Sequence, residues 1–208
     1  NALGGELSFA HGDPLDILTA FLEQGWDVVA ASEPTGRYGR KRDNAAADAG
    51  VEFVAGDGLV RGAEDTRENW SNHVESWFRA EFVRWETAIT PDRVGDAYDV
   101  SPTKQRVPHG GRTAGRRRLR QFADSIQSYP GNISAPSDAE AGTSRLSPYL
   151  RFGCLSVREV FQHVEDQAAD CAGKNMFISR LYWNRHYTQK LADWSGWLDT
   201  AVNPVMEE

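Results

Sequence analysis

The chain has 208 residues, enough for one ordinary domain or two small ones. A hydrophobic content of 40% with seven tryptophans excludes a disordered polypeptide. No apolar run approaches the roughly 18–20 residues of a transmembrane helix, so no membrane partner is expected, and the net charge of −7 argues against indiscriminate nucleic-acid binding. The charge is uneven: residues 1–100 carry 9 Lys+Arg against 19 Asp+Glu, and residues 101–208 carry 14 against 11, which keeps a polyanion partner open for the second half.

The opening NALGGELSF has neither a basic n-region nor a long apolar stretch, so no signal peptide is expected and the location expected is cytoplasmic. The start without methionine and the ending NPVMEE lead to the expectation that both ends continue in a longer protein. Asp13-Pro14 then supplies an N-cap and a proline at the first helical position. Leu15, Leu18, Phe21 and Leu22 follow at helical spacing, and Gly25 closes the helix. Trp26–Ala31 is a short strand, SEPTGRYGRKRD a basic loop, Asn44–Ala49 an alanine-rich segment and Val51–Ala55 a second strand. This α-β-α-β order fits part of a parallel doubly wound sheet, with too few strands for a complete one.

From Glu64 to Glu86 a helix carries Trp70, Val74, Trp77, Phe78 and Trp85, an aromatic stripe expected to staple it to a core. Residues 89–113 break into Pro- and Gly-containing sequence and read as an interdomain linker. Everything after it reads as helix. Arg116–Ser125 is basic and amphipathic, Tyr129–Ala141 is a loop, Ser147-Pro148 opens a short helix, and Ser156 with Glu159 forms a capping box. Met176–Ala192 is the longest helix. Cys154 and Cys171 are too few for a disulfide scaffold and lack histidines at zinc spacing, so buried reduced thiols and no metal are expected.

Two stretches point to chemistry. Thr143-Ser144-Arg145-Leu146-Ser147-Pro148 places hydroxyls, a guanidinium and a hydroxyl N-cap at a helix start, a combination suited to phosphate oxygens. On the Met176–Ala192 helix, Arg180, Trp183, Asn184, Tyr187 and Leu191 fall on one face, a stripe that can stack a flipped base while holding its backbone. The Arg116–Arg120 run either tracks phosphate or is simply solvated.

The run GTSRLSPYLRFG followed by LSVREV resembles the FAD-binding signature of the photolyase and cryptochrome family, and RRRLRQF with Tyr129 fits its upstream helix. The resemblance implies FAD contacts for Tyr129, Thr143, Ser144, Arg145, Leu146, Ser147 and Phe177. It implies stacking of a damaged pyrimidine pair on Trp183, with Asn184 and Tyr187 as further DNA contacts. The implied partner is DNA containing pyrimidine dimers, single- or double-stranded, met by a monomer. The implied fold is a partial α/β antenna-type domain over residues 1–88, followed by the first part of an all-helical FAD-binding domain over 114–208. Blue-light-driven electron transfer from reduced FAD is the implied reaction. Arg180 occupies the place of a family glutamate, which makes the chain resemble a divergent branch and leaves a cryptochrome-like photosensor as the alternative. In the basic loop, Tyr38-Gly39 replaces the Asn-Glu pair that holds a folate in some members, so a second, antenna chromophore stays of unspecified identity. Residues 1–208 alone are expected to bind FAD weakly or not at all.

Overall fold

A computed structural model describes residues 10–33, 35–61, 66–82, 107–129, 137–138, 142–201 and 203–206. The opening nine residues, most of the expected linker and most of the loop after Tyr129 lie outside the described residues. Among those described there are seven α-helices and one two-stranded parallel sheet. The chain divides into two compact units: Asn1–Asp57, Glu81–Gln105 and Lys190–Glu208 form one, and Gly58–Ala80 with Arg106–Gln189 form the other.

In the first unit, helix α1 (Pro14–Glu23) starts as its sequence dictates. Asp13 is the N-cap and its carboxylate accepts from the Leu15 amide at 2.8 Å. Gly25, at φ +86°, ends it in a conformation other residues avoid. Strands β1 (Val29–Ala31) and β2 (Glu52–Val54) pair in parallel, with Ala30 opposite Phe53. Both are three residues long, shorter than expected, because each strand has a single neighbour among the described residues. Helix α2 (Arg37–Asp48) begins inside the basic stretch expected as a loop. Asp43 explains why: its buried carboxylate accepts from the Glu33 amide at 2.6 Å and from Arg42 at 2.9 Å, fixing the preceding turn to the helix.

The second unit is helical: α3 (Thr66–Arg79), α4 (Arg112–Asp124), α5 (Ser147–Arg151), α6 (Val157–Gln167) and most of α7 (Ala172–Asp193). The aromatic stripe of α3 does staple it to a core. Val74 and Phe78 are fully buried, and the Phe78 ring stacks on Phe161 of α6 at 4.4 Å between centroids. Trp85 lies outside the described residues, and the helix itself stops at Arg79. Gln162 reinforces that end, donating to the carbonyls of Phe78 (2.7 Å) and Ala80 (2.9 Å) that the helix leaves unpaired.

Two polar residues, Lys174 and Gln189, are buried here and hydrogen-bonded. Lys174 donates from Nζ to the Glu165 carbonyl at 2.8 Å and to Asp170 at 2.9 Å, placing a cation at the C-terminal end of α6. The bond to Asp170 raises the Lys174 pKa and lowers that of Asp170. Gln189 exchanges two hydrogen bonds with the backbone of Val60, 2.9 Å from its amide and 3.0 Å to its carbonyl. Helix α7 therefore starts four residues before the expected Met176. Its early turn passes so close to Ile126 that a Cβ on Gly173 would sit 1.9 Å from the Ile126 carbonyl oxygen.

Candidate functional site

The turn Thr143–Ser147 is held from below by α4. Arg118 donates from Nε to the Ser144 carbonyl at 2.8 Å and from its terminal nitrogen to the Thr143 carbonyl at 2.9 Å. Ser144 Oγ accepts from the Leu146 amide at 3.4 Å. Arg145 takes φ +56°, a left-handed conformation uncommon outside glycine and asparagine. That twist changes the capping scheme. Leu146, not a hydroxyl residue, is the N-cap of α5, no side-chain cap bond forms, and Ser147 is the first helical residue with its side chain exposed. The five-residue helix contributes little dipole, so the groups at this turn able to meet an anion are its hydroxyls, amides and Arg145.

Leu146 is 1% exposed and belongs to the core, so its backbone is the part available to a ligand. Tyr149, just inside α5, anchors the turn from the other side by donating to the His109 carbonyl at 2.9 Å. Among the basic residues of α4, Arg112 makes a bidentate pair with Glu159 at 2.8 Å and Arg116 approaches the same carboxylate at 3.4 Å. Ser156 does cap α6, accepting from the Glu159 amide at 3.0 Å, while the Glu159 side chain turns to these arginines. His163, on α6, lies near Arg116 and Arg120. Burial, then those two charges, hold its pKa below the ordinary histidine value.

Tyr129, Phe177 and Arg180 converge. The Tyr129 ring meets Phe122 edge-on at 5.5 Å and Phe177 at 5.6 Å, and all three rings are buried. Burial pushes the Tyr129 hydroxyl pKa up, and the charge of Arg180 opposes that shift, placing the guanidinium within electrostatic reach of the phenol. Tyr129, Phe177 and Leu146 share one buried cluster, so the turn and the aromatic group are parts of the same packed unit.

The face of α7 carrying Arg180, Trp183, Asn184 and Tyr187 is exposed. The Trp183 and Tyr187 rings lie 5.5 Å apart, tilted by 31°, with His186 at 5.9 Å from Trp183. Trp183 also borders a cleft of about 220 Å³, lined by Trp70, Ser179, Tyr182 and His186 besides itself. None of the turn residues lines that cleft.

Cys154 and Cys171 are free and half-buried rather than fully buried, and no group of three His, Cys, Asp or Glu among the described residues is arranged to hold a metal. No helix of the described residues is long and apolar enough to cross a membrane. Sequence reading missed the clamp by Arg118, because a guanidinium reaching 25 residues along the chain has no local signature; in its run it looked like every other arginine.

No family model matches the chain. Curated proteins named deoxyribodipyrimidine photo-lyase do. The one from Streptomyces griseus is 27% identical over 91% of this chain and 46% of its own length. That from Alkalihalophilus pseudofirmus is 35% identical over 34% of the chain and 15% of its length. That from Halobacterium salinarum is 34% identical over 41% of the chain and 19% of its length. The chain thus spans less than half the length of the curated relatives it matches.

Proposed function

We propose, on the premise that this chain belongs to the photolyase family, that its helical unit is the first part of a FAD-binding domain in a DNA-repair photolyase. The α/β unit would then belong to an antenna-type domain. The observation that carries the reading is the clamped turn: Arg118 fixes the backbone of Thr143 and Ser144, within the stretch whose hydroxyls, amides and Arg145 this reading assigns to a diphosphate. FAD fits these residues in kind, since a dianionic pyrophosphate needs several donors and cations, and a flat ring system needs aromatic surroundings.

In this reading Thr143, Ser144, Arg145 and Ser147 hold the diphosphate, and the Tyr129 hydroxyl, whose pKa burial raises further from its ordinary value, donates a hydrogen bond to it. Phe177 supports Tyr129 from the core, and the Leu146 side chain locks the turn while its backbone meets the cofactor. When bound, FAD supplies light-driven electron donation capable of splitting a cyclobutane pyrimidine dimer. The exposed rings of Trp183 and Tyr187 present a stacking surface for such a lesion, with Asn184 beside them.

Arg180 favours a second reading, a cryptochrome-like photosensor. It is an exposed cation facing Tyr129, with no carboxylate paired to it among the described residues, and it cannot accept a hydrogen bond from a base edge. The test uses the intact gene product. Thr143→Ala with Ser144→Ala is expected to weaken FAD binding about tenfold, measured by flavin fluorescence titration, through loss of two hydroxyl donors. Wild-type affinity in that variant would remove the cradle assignment. Normal flavin photoreduction without dimer repair would select the photosensor.

A further inference from the structure

The cleft beside Trp183 is not part of the proposed cofactor cradle. At 100° per residue, Ser179, Tyr182 and His186 lie on one side of α7, and Arg180, Asn184 and Tyr187 lie more than a third of a turn around the helix. Trp183 falls between the two sets and serves both as a divider. On the cleft side it shares the wall with Trp70 of α3, whose ring packs edge-on against His186 at 5.4 Å between centroids.

Size and chemistry restrict the occupant. About 220 Å³ is less than the roughly 300–1,000 Å³ of sites that enclose a whole cofactor, so the cleft suits one ring system. Four of its five lining residues are aromatic, and none is Lys, Arg, Asp or Glu, so it offers stacking surface and no holder for a phosphate. The polar groups among the lining residues are those of Ser179, Tyr182 and His186, together with the Trp70 indole nitrogen, which is itself buried.

From this we propose that the cleft is a second base-binding site, taking one unpaired nucleobase that stacks among Trp183, Tyr182 and Trp70. It would lie across Trp183 from the face proposed for the lesion, so two neighbouring bases of one strand would flank that ring. The inference rests on reading Trp183 as DNA-facing.

The test measures fluorescence quenching of two probes by the intact gene product: 2-aminopurine 2′-deoxyriboside, which carries no phosphate, and a single-stranded oligothymidine with one internal 2-aminopurine. Both are expected to bind. Ser179→Trp, which fills the cleft from an exposed helix position, is expected to weaken both about tenfold. Arg180→Ala should weaken the oligonucleotide and leave the nucleoside within about twofold. His186→Ala, expected to weaken the nucleoside, replaces Ser179→Trp if circular dichroism shows that variant misfolded. Equal nucleoside binding by wild type and the cleft variant overturns the proposal, as does nucleoside binding lost in Arg180→Ala alone. FAD titration of the same samples keeps the two readings apart, because loss of flavin binding with intact nucleoside quenching strikes only the cradle.

Discussion

The two units use the same helical patterning and bury it to different depths. In the helical unit, Phe78, Phe161, Val160 and Val164 are essentially inaccessible, and rings from α3, α6 and α7 interlock. In the α/β unit, α1 buries no residue completely although Leu15, Leu18, Phe21 and Leu22 are spaced as a core-facing stripe. Val29 and Val54, on the two strands, remain 57% and 48% exposed. A sheet of this parallel type is normally covered on both faces. An amphipathic pattern reports the capacity of an element to bury a face, not whether a partner covers it.

The sharpest way to break the contrast is to cut into both units. Phe78→Ala removes a ring stacked on Phe161 and contacting Tyr182, and should cost about 3–5 kcal/mol in urea denaturation. Val29→Ala should change stability by about 0.5 kcal/mol at most. A comparable loss at Val29 would show that the α/β unit holds more of the molecule's stability than its burial indicates. An intermediate effect is expected at the clamp. Arg118→Ala leaves the Thr143 and Ser144 carbonyls without their partner and should cost about 1–3 kcal/mol. Hydrogen exchange should then speed up at residues 143–147 more than in α6, and equal acceleration in both would mean that Arg118 supports the whole unit instead of the turn.

The smallest effect is a pH slope. The folded pKa of His163 lies below its ordinary value, so neutral His163 contributes stability that is fully present above about pH 6.5 and is lost as pH falls through that value toward the folded one. Melting temperatures should decline between pH 7 and pH 5, and His163→Asn should flatten that decline. A steeper decline in the variant would exclude His163 as its source.

Local chemistry was legible in the sequence and distant chemistry was not. Asp13-Pro14 and Ser156 both cap their helices as read, because a cap is decided within four residues. The aromatic stripe of α3 faces a core for the same reason. Ser147 failed as a cap because a left-handed Arg145 shifts the helix start by one position, and nothing short of the backbone conformation announces that shift. Of the α7 stripe Arg180, Trp183, Asn184, Tyr187 and Leu191, the first four are exposed and Leu191 is half-buried, while the cleft on its other flank depends on α3 more than a hundred residues earlier.

The Gln189 side chain bears on how the helical unit assembles. Its two bonds to Val60 join positions 129 apart, whereas Arg118 meets Ser144 across 26. Loop-closure entropy makes the longer connection costlier to form by about 1.4 kcal/mol. The turn should therefore organise early in folding, with the segment around Val60 docking onto α7 late. Gln189→Ala should accordingly speed unfolding and leave the folding rate nearly unchanged, the kinetic mark of a bond made after the barrier.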